Sequence, residues 1–257
     1  MDLPGIPKKT IQGYVYASNQ DNELFRNAKT GDLIVKKDKT PPYIVVDHSL
    51  DTLLITRWPG KLFKVEVIDP SKEKGINEGL VKGVSYTRTF GVEIIEEVPP
   101  GELFGPNGKK IEQIVDLTRN ITEEQVFELS KDDKASSRDL YAKAWRNWIM
   151  LYDKNHPYLN GNHHHTLLFS PKNERYSSPI KIGLSLIYSQ FDIRAKELVG
   201  DQAFGYDEEG EIYLQPIWAL AVEKALQAGM SYASDDVLTE LERETLRTPF
   251  NKVFGLD

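Results

Sequence analysis

The sequence predicts an α+β protein: an N-terminal, largely antiparallel sheet followed by a mainly helical C-terminal half. Three observations predict it. Residues 11–117 carry short, often alternating apolar runs between Gly, Pro, Asn and Asp. After residue 120 the apolar residues recur at three and four. The strands come first and the helices later, without the βαβ alternation of a parallel sheet.

Each element has its own signal. "YVYA" (14–17), "DLIVKK" (32–37) and "PYIVV" (42–46) read as strands. "KLFKVEVID" (61–69) is the clearest, with Phe63, Val65 and Val67 on an apolar face opposite Leu62, Lys64, Glu66 and Ile68. "SYTRTF" (85–90) and "GVEIIEEVP" (91–99) follow, the second stopped by Pro99 and Pro100. "HSLDTLLITRW" (48–58) fits either a capped short helix or a strand.

In the helical half, Thr122 is the expected N-cap of 121–130, with acidic residues in the first turn. Tyr141, Ala144, Trp145, Trp148, Ile149 and Tyr152 mark a helix over 136–154. Pro179 opens the next helix and Gly200 ends it. Residues 203–216 read as a hairpin turning at Glu209-Gly210. Pro216 opens an Ala-rich helix that Gly229 is expected to close, and Ser234 is the expected cap of a last helix. The composition places a β-rich domain over 1–120 and a helical domain, or a helical cover, over 121–257.

Composition narrows the function. The chain has 257 residues and a net charge of -7, with no global attraction to phosphate backbones, so no nucleic-acid partner is expected. It has no cysteine, which excludes disulfides, thiolate nucleophiles and cysteine zinc sites. No apolar run approaches the roughly 18 residues of a membrane span, and the N-terminus lacks the pattern of a signal peptide. A cytoplasmic protein without a membrane partner is expected.

Four of the five histidines lie in "NHPYLNGNHHHTLLFS" (155–170). On a strand, His163 and His165 would point the same way, as two imidazole ligands to zinc, iron or manganese. His156 would return across the Asn160-Gly161 turn as a third, with Asp153 as a carboxylate alternative. The competing reading is a polar surface loop. His48 beside Asp47 and Ser49 is not a triad, which is a spatial arrangement, and no G-x-S-x-G elbow presents a serine. "FGPNGKK" (104–110) is not a P-loop, and no G-x-G-x-x-G marks a Rossmann site. Of the acidic pairs, Glu96-Glu97 splits across a strand, Asp207-Glu208-Glu209 sits at a turn, and Asp235-Asp236 is expected in the first turn of the last helix. Trp145, Trp148, Trp218 and Tyr232 could form a ligand cage, but their helical spacing favours core packing.

The order "YVYAS", "HSLDTLLITRWPGKLFKVEVIDP", "SYTRTFGVEIIEEVP" resembles that of small ADP-ribosyltransferase-fold domains of the rifamycin-modifying type, over roughly the first hundred residues. Where that family carries His-Gly-Thr on its opening strand, this chain has Tyr14 to Ser18, and no motif fixes a catalytic acid. The resemblance implies an NAD-using domain in which Tyr16, Arg57 and Tyr86 hold the nicotinamide cofactor and Arg88 pairs with its pyrophosphate. The alternative for these residues is strand tyrosines with polar tips outward and surface arginines.

Three functions therefore stand open. One is an NAD-using transferase on the sheet, in which Arg57, Tyr86 and Arg88 would share a concave pocket. Another is a non-catalytic interaction or effector-inhibitor protein with a protein partner. The third is a metal-dependent hydrolase at His163 and His165, with a divalent metal.

Overall fold

The computed structural model describes residues 10–20, 23–50, 53, 55, 57–68, 86–152 and 179–256. These fall into two compact units that divide at Pro100/Gly101.

The first unit is a six-stranded antiparallel sheet of β1 (Gln12–Ser18), β2 (Leu33–Val35), β3 (Ile44–Asp47), β4 (Gly60–Val67), β5 (Tyr86–Thr89) and β6 (Gly91–Val98). Their order in space is β2-β6-β4-β1-β3-β5, so β1 and β4 are central and β5 is an edge. Alternation decides which residues turn inward. Val15 and Ala17 from β1, Ile44 and Val46 from β3, Phe63 and Val65 from β4, and Val92 and Ile94 from β6 make one apolar cluster with Phe25 and Ala28. Val67 packs at its margin, as the alternation of 61–69 predicts. The register of β4 on β6 shifts between Lys64 and Val65, a bulge that interrupts the alternation there. Gly13 is required by close approach: a Cβ there would lie 2.3 Å from the Asp47 carbonyl oxygen on β3. The described residues of the ambiguous stretch 48–58 are in neither an α-helix nor a strand.

The second unit is helical. After a short 3-10 helix over Pro100–Phe104 come α1 (Gly108–Arg119), α2 (Glu123–Ser130), α3 (Ala135–Tyr152), α4 (Pro179–Val199), α5 (Pro216–Ala233) and α6 (Glu240–Phe254). Helix α1, grouped with the strands by composition, packs on α4 and α5. Thr122 caps α2 through a full capping box with Gln125. α5 is the central helix, in contact with all five others, and is buried nearly all round from Ala221 to Ser231.

Two predicted helix boundaries move. Gly229 does not close α5, which runs on to Ala233. It is glycine because a Cβ there would meet Ile187 Cδ1 at 2.7 Å and Leu184 Cδ2 at 3.0 Å on α4. Nor does Ser234 cap the last helix. Thr239 does, in a capping box with Glu242, while the buried Ser234 hydroxyl turns back to the Ser231 carbonyl. Asp235 and Asp236 consequently precede α6 rather than opening it, and the helix dipole does not account for them.

Between α4 and α5 lies the expected hairpin, β7 (Phe204–Tyr206) and β8 (Ile212–Leu214), with Gly210 at φ +80° in its turn.

Candidate functional site

The face of the sheet opposite the Phe63–Val65 cluster carries Tyr16, Tyr86 and Arg88, three of the four residues that the resemblance implies for cofactor binding. Directly opposed residues in antiparallel strands share a face. Tyr14 on β1 opposes Asp47 on β3, and Asp47 opposes Tyr86 on β5. Two residues along their strands, Tyr16 and Arg88 lie on that same face. Val45, opposite Arg88, belongs to it by the pairing of β3 with β5, and Tyr43, just before β3, joins it through its contact with Arg88.

Tyr16 is held tightly. Its hydroxyl donates to the Arg57 carbonyl oxygen at 3.0 Å. Its ring stacks on the buried Trp58 with centroids 6.2 Å apart and planes within 9°. Gly60 makes room for it, since a Cβ there would lie 2.6 Å from the tyrosine hydroxyl. Arg57 thus meets Tyr16 through its main chain, and its side chain is exposed.

Arg88 has a different setting. Its guanidinium lies 5.7 Å from the Tyr43 ring centroid and 5.9 Å from that of Tyr86, flanked by two electron-rich faces. Tyr43 also packs on Phe90, centroids 5.1 Å apart. Between Tyr16 and Arg88 runs β3, so the strands that carry them lie about 10 Å apart, two strand spacings. The structure brings together Tyr16 with Arg57, and Tyr86 with Arg88. Tyr16 and the Tyr86–Arg88 pair share a face, with β3 between them. Val45, 43% exposed, lies on the strand between them.

Tyr43, Val45 and Asp47 also lie on this face, and no motif marks them as site residues. The signal was present in "PYIVVD", whose alternation puts those three on one side. What was not local is that the side they share is that of Tyr86 and Arg88.

Two polar regions of the helical unit are alternatives. A cleft of about 480 Å³ is lined by Asn107, Tyr232, Asp235, Arg243, Arg247 and Asn251, among others. Its cations are already paired: Arg243 with Asp235 and Glu240, Arg247 with Glu240, and Arg247 also lies over the Tyr232 ring at 5.6 Å. Asn107 donates to the Tyr232 carbonyl at 2.9 Å and to Asp235 at 2.6 Å. This lattice ties α6 to the segments beside it and leaves no uncompensated cation for a ligand.

The other region is internal. Lys224 on α5 is fully buried, and its ammonium donates to Gln227 Oε1 at 3.3 Å. Burial holds it below the ordinary lysine range, with Glu223 and Asp132 partly opposing the shift. Gln227 in turn donates to Glu223 at 2.7 Å, and Glu223 accepts from Arg138 Nε at 3.1 Å. Burial pushes the neighbouring Tyr141 phenol well above the usual tyrosine range. The amine is enclosed, and the network runs from it through Gln227 and Glu223 to the exposed Arg138, so Lys224 itself is not an accessible site.

His156, His163 and His165, together with Asp153, lie outside the described residues. Among the described residues no group of three or more His, Asp or Glu could hold a metal ion. His48 shares a hydrogen bond of 2.8 Å between its Nε2 and Thr87 Oγ1. No helix among the described residues is long and apolar enough to cross a membrane. No protein-family model, no curated protein and no solved structure matches the chain.

Proposed function

We propose that the sheet unit binds a dinucleotide of the NAD type on its Tyr16–Tyr86–Arg88 face, and that the protein is an ADP-ribosyltransferase-like enzyme. The observation that carries this is Arg88, fixed over Tyr43 and Tyr86 and separated from Tyr16 by the exposed Val45. A flat aromatic ring can lie against tyrosine faces. A pyrophosphate can accept paired hydrogen bonds from one guanidinium. Asp47, between Tyr14 and Tyr86 in register, is the carboxylate of this face set among its tyrosines, and it would steady positive charge on the ribose as its bond to nicotinamide breaks. The transfer breaks the ribose C1′–nitrogen bond and forms a C1′–oxygen bond to an acceptor hydroxyl or water. Nicotinamide leaves with the bonding electrons and the acceptor loses its proton.

The test is calorimetric titration of NAD into the full chain and its Arg88→Ala and Tyr86→Ala variants, with released nicotinamide followed by chromatography. Saturable binding that weakens about tenfold or more in Arg88→Ala supports the proposal. Absence of NAD binding, or binding indifferent to both variants, overturns it.

A further inference from the structure

The β7–β8 hairpin is built to be rigid and yet holds apolar groups in water. Tyr206 and Ile212 are direct cross-strand partners, and they are 70% and 65% exposed. One step toward the base, the next pair on the same face is Phe204 with Leu214, and Leu214 is buried. On the other face the Tyr213 ring lies across Gly205, where a Cβ would come within 2.5 Å of it, yet Tyr213 is still 46% exposed.

Strands of three residues are marginal by themselves, so the exposed tip needs other support. It has it at both ends. At the turn, Asp207 Oδ1 accepts from the backbone N–H of Glu209 at 2.9 Å and of Glu211 at 2.8 Å. The Asp207 N–H donates to the Glu211 carbonyl at 3.0 Å. At the base, Gln215 donates from its backbone to Ala203 at 2.8 Å and from its side chain to Phe204 at 3.1 Å. The tip is therefore held in one shape before anything touches it, which reduces the ordering cost of binding.

Its charge defines what it would meet. Residues 206–212 read Tyr-Asp-Glu-Glu-Gly-Glu-Ile, with four carboxylates and no basic residue. Anionic lipid and nucleic acid would be repelled. A protein surface with an apolar socket and a Lys/Arg rim is complementary in both respects. We infer that the β7–β8 hairpin is a docking finger for a protein partner: Tyr206 and Ile212 enter an apolar pocket, and Asp207, Glu208, Glu209 and Glu211 meet the basic rim. The inference does not depend on the proposed nucleotide binding.

The experiment uses the full chain carrying the photoreactive residue benzoylphenylalanine at position 206, or at position 241 as an exposed control on α6, expressed and illuminated in the native host. The cross-linked peptide is mapped. The captured protein is then purified and titrated against the wild type, Tyr206→Ser/Ile212→Ser and Glu208→Lys/Glu209→Lys at low and high salt. Circular dichroism checks that each variant keeps the wild-type melting midpoint. The expected result is a product specific to position 206, mapped to a Lys/Arg-rich apolar segment. Binding should weaken about tenfold or more in either double variant, and with salt in the wild type. Three results would overturn the inference: no product specific to position 206, a product that is a second copy of this chain, or affinity unchanged by charge reversal.

Discussion

The sheet and the helical unit treat their polar residues in opposite ways. In the sheet, alternation sends every second residue away from the core, so Tyr14, Tyr16, Tyr86 and Arg88 share a face that Phe63 and Val65 do not reach. In the helical unit, α5 is packed on nearly all sides, so Lys224, Gln227 and Ser231 have no outer face to turn to. They satisfy one another or the backbone: Lys224 donates to Gln227, and the Ser231 hydroxyl donates to the Ala228 carbonyl at 2.7 Å. Strand alternation keeps these side chains off the Phe63–Val65 cluster, although the buried Leu62 and Trp58 pack beside Tyr16 on its own face, whereas a central helix has to place its chemistry inside the packing.

The contrast can be broken by substitution, beginning with the largest effect. Phe63→Ala should cost about 3–5 kcal/mol in chemical unfolding, while Val45→Ala on the opposite face should stay within about 0.5 kcal/mol. If both were mild, the two faces would not differ as described.

In the central helix, Gln227→Leu should cost about 1–3 kcal/mol, because it takes away the hydrogen bond that holds the buried Lys224 amine. Lys224 also predicts a pH trend. Its pKa is lowered from 10.5 on folding, so between the folded value and 10.5 the unfolded chain binds more protons. Its contribution to stability should therefore rise with pH across that window and lie at its minimum below it. Denaturant midpoints measured from neutral to alkaline pH should show this rise in the wild type and a flatter profile in Lys224→Met.

On the sheet face, Tyr16→Phe keeps the stack on Trp58 but removes the hydrogen bond to the Arg57 carbonyl. A loss of about 1 kcal/mol is expected by the same assay. Nicotinamide release, if the face binds NAD, should change less than in Arg88→Ala.

The smallest effect belongs to Glu242, whose carboxylate accepts from Lys143 at 2.5 Å and from the Thr239 N–H at 3.0 Å. The Lys143 bond first, then the cap, lower its pKa from 4.5 to about 2. Its stabilising contribution is full above pH 4.5 and is lost as pH falls through about 2. Acid titrations followed by circular dichroism should show a shallower acid loss for Glu242→Gln than for the wild type.

Much of this was legible in the sequence. The inward set Phe63 and Val65, the Thr122 cap, the first-turn Pro179 and the Gly210 turn each depend on residues a few positions apart. The candidate site was legible residue by residue but not as an arrangement. Tyr16 and Arg57 meet, yet through the Arg57 main chain, which no side-chain pattern announces. Tyr43 flanks Arg88 only because β3 and β5 pair across some forty intervening residues.

By itself the sequence determined the α+β class, the strand order along the chain, the inward residues of β4 and most helix starts, because periodicity, caps and turn glycines act within a few residues. Only the tertiary structure decided that Gly229 packs on α4 instead of ending α5, that Thr239 rather than Ser234 caps α6, that Lys224 is enclosed, and that Tyr206 and Ile212 stand in water. Those outcomes depend on what lies beside each element in space. A glycine, a serine or a lysine carries the same local propensity whether its neighbour is another helix or solvent, so its fate is set by packing between segments far apart in the chain.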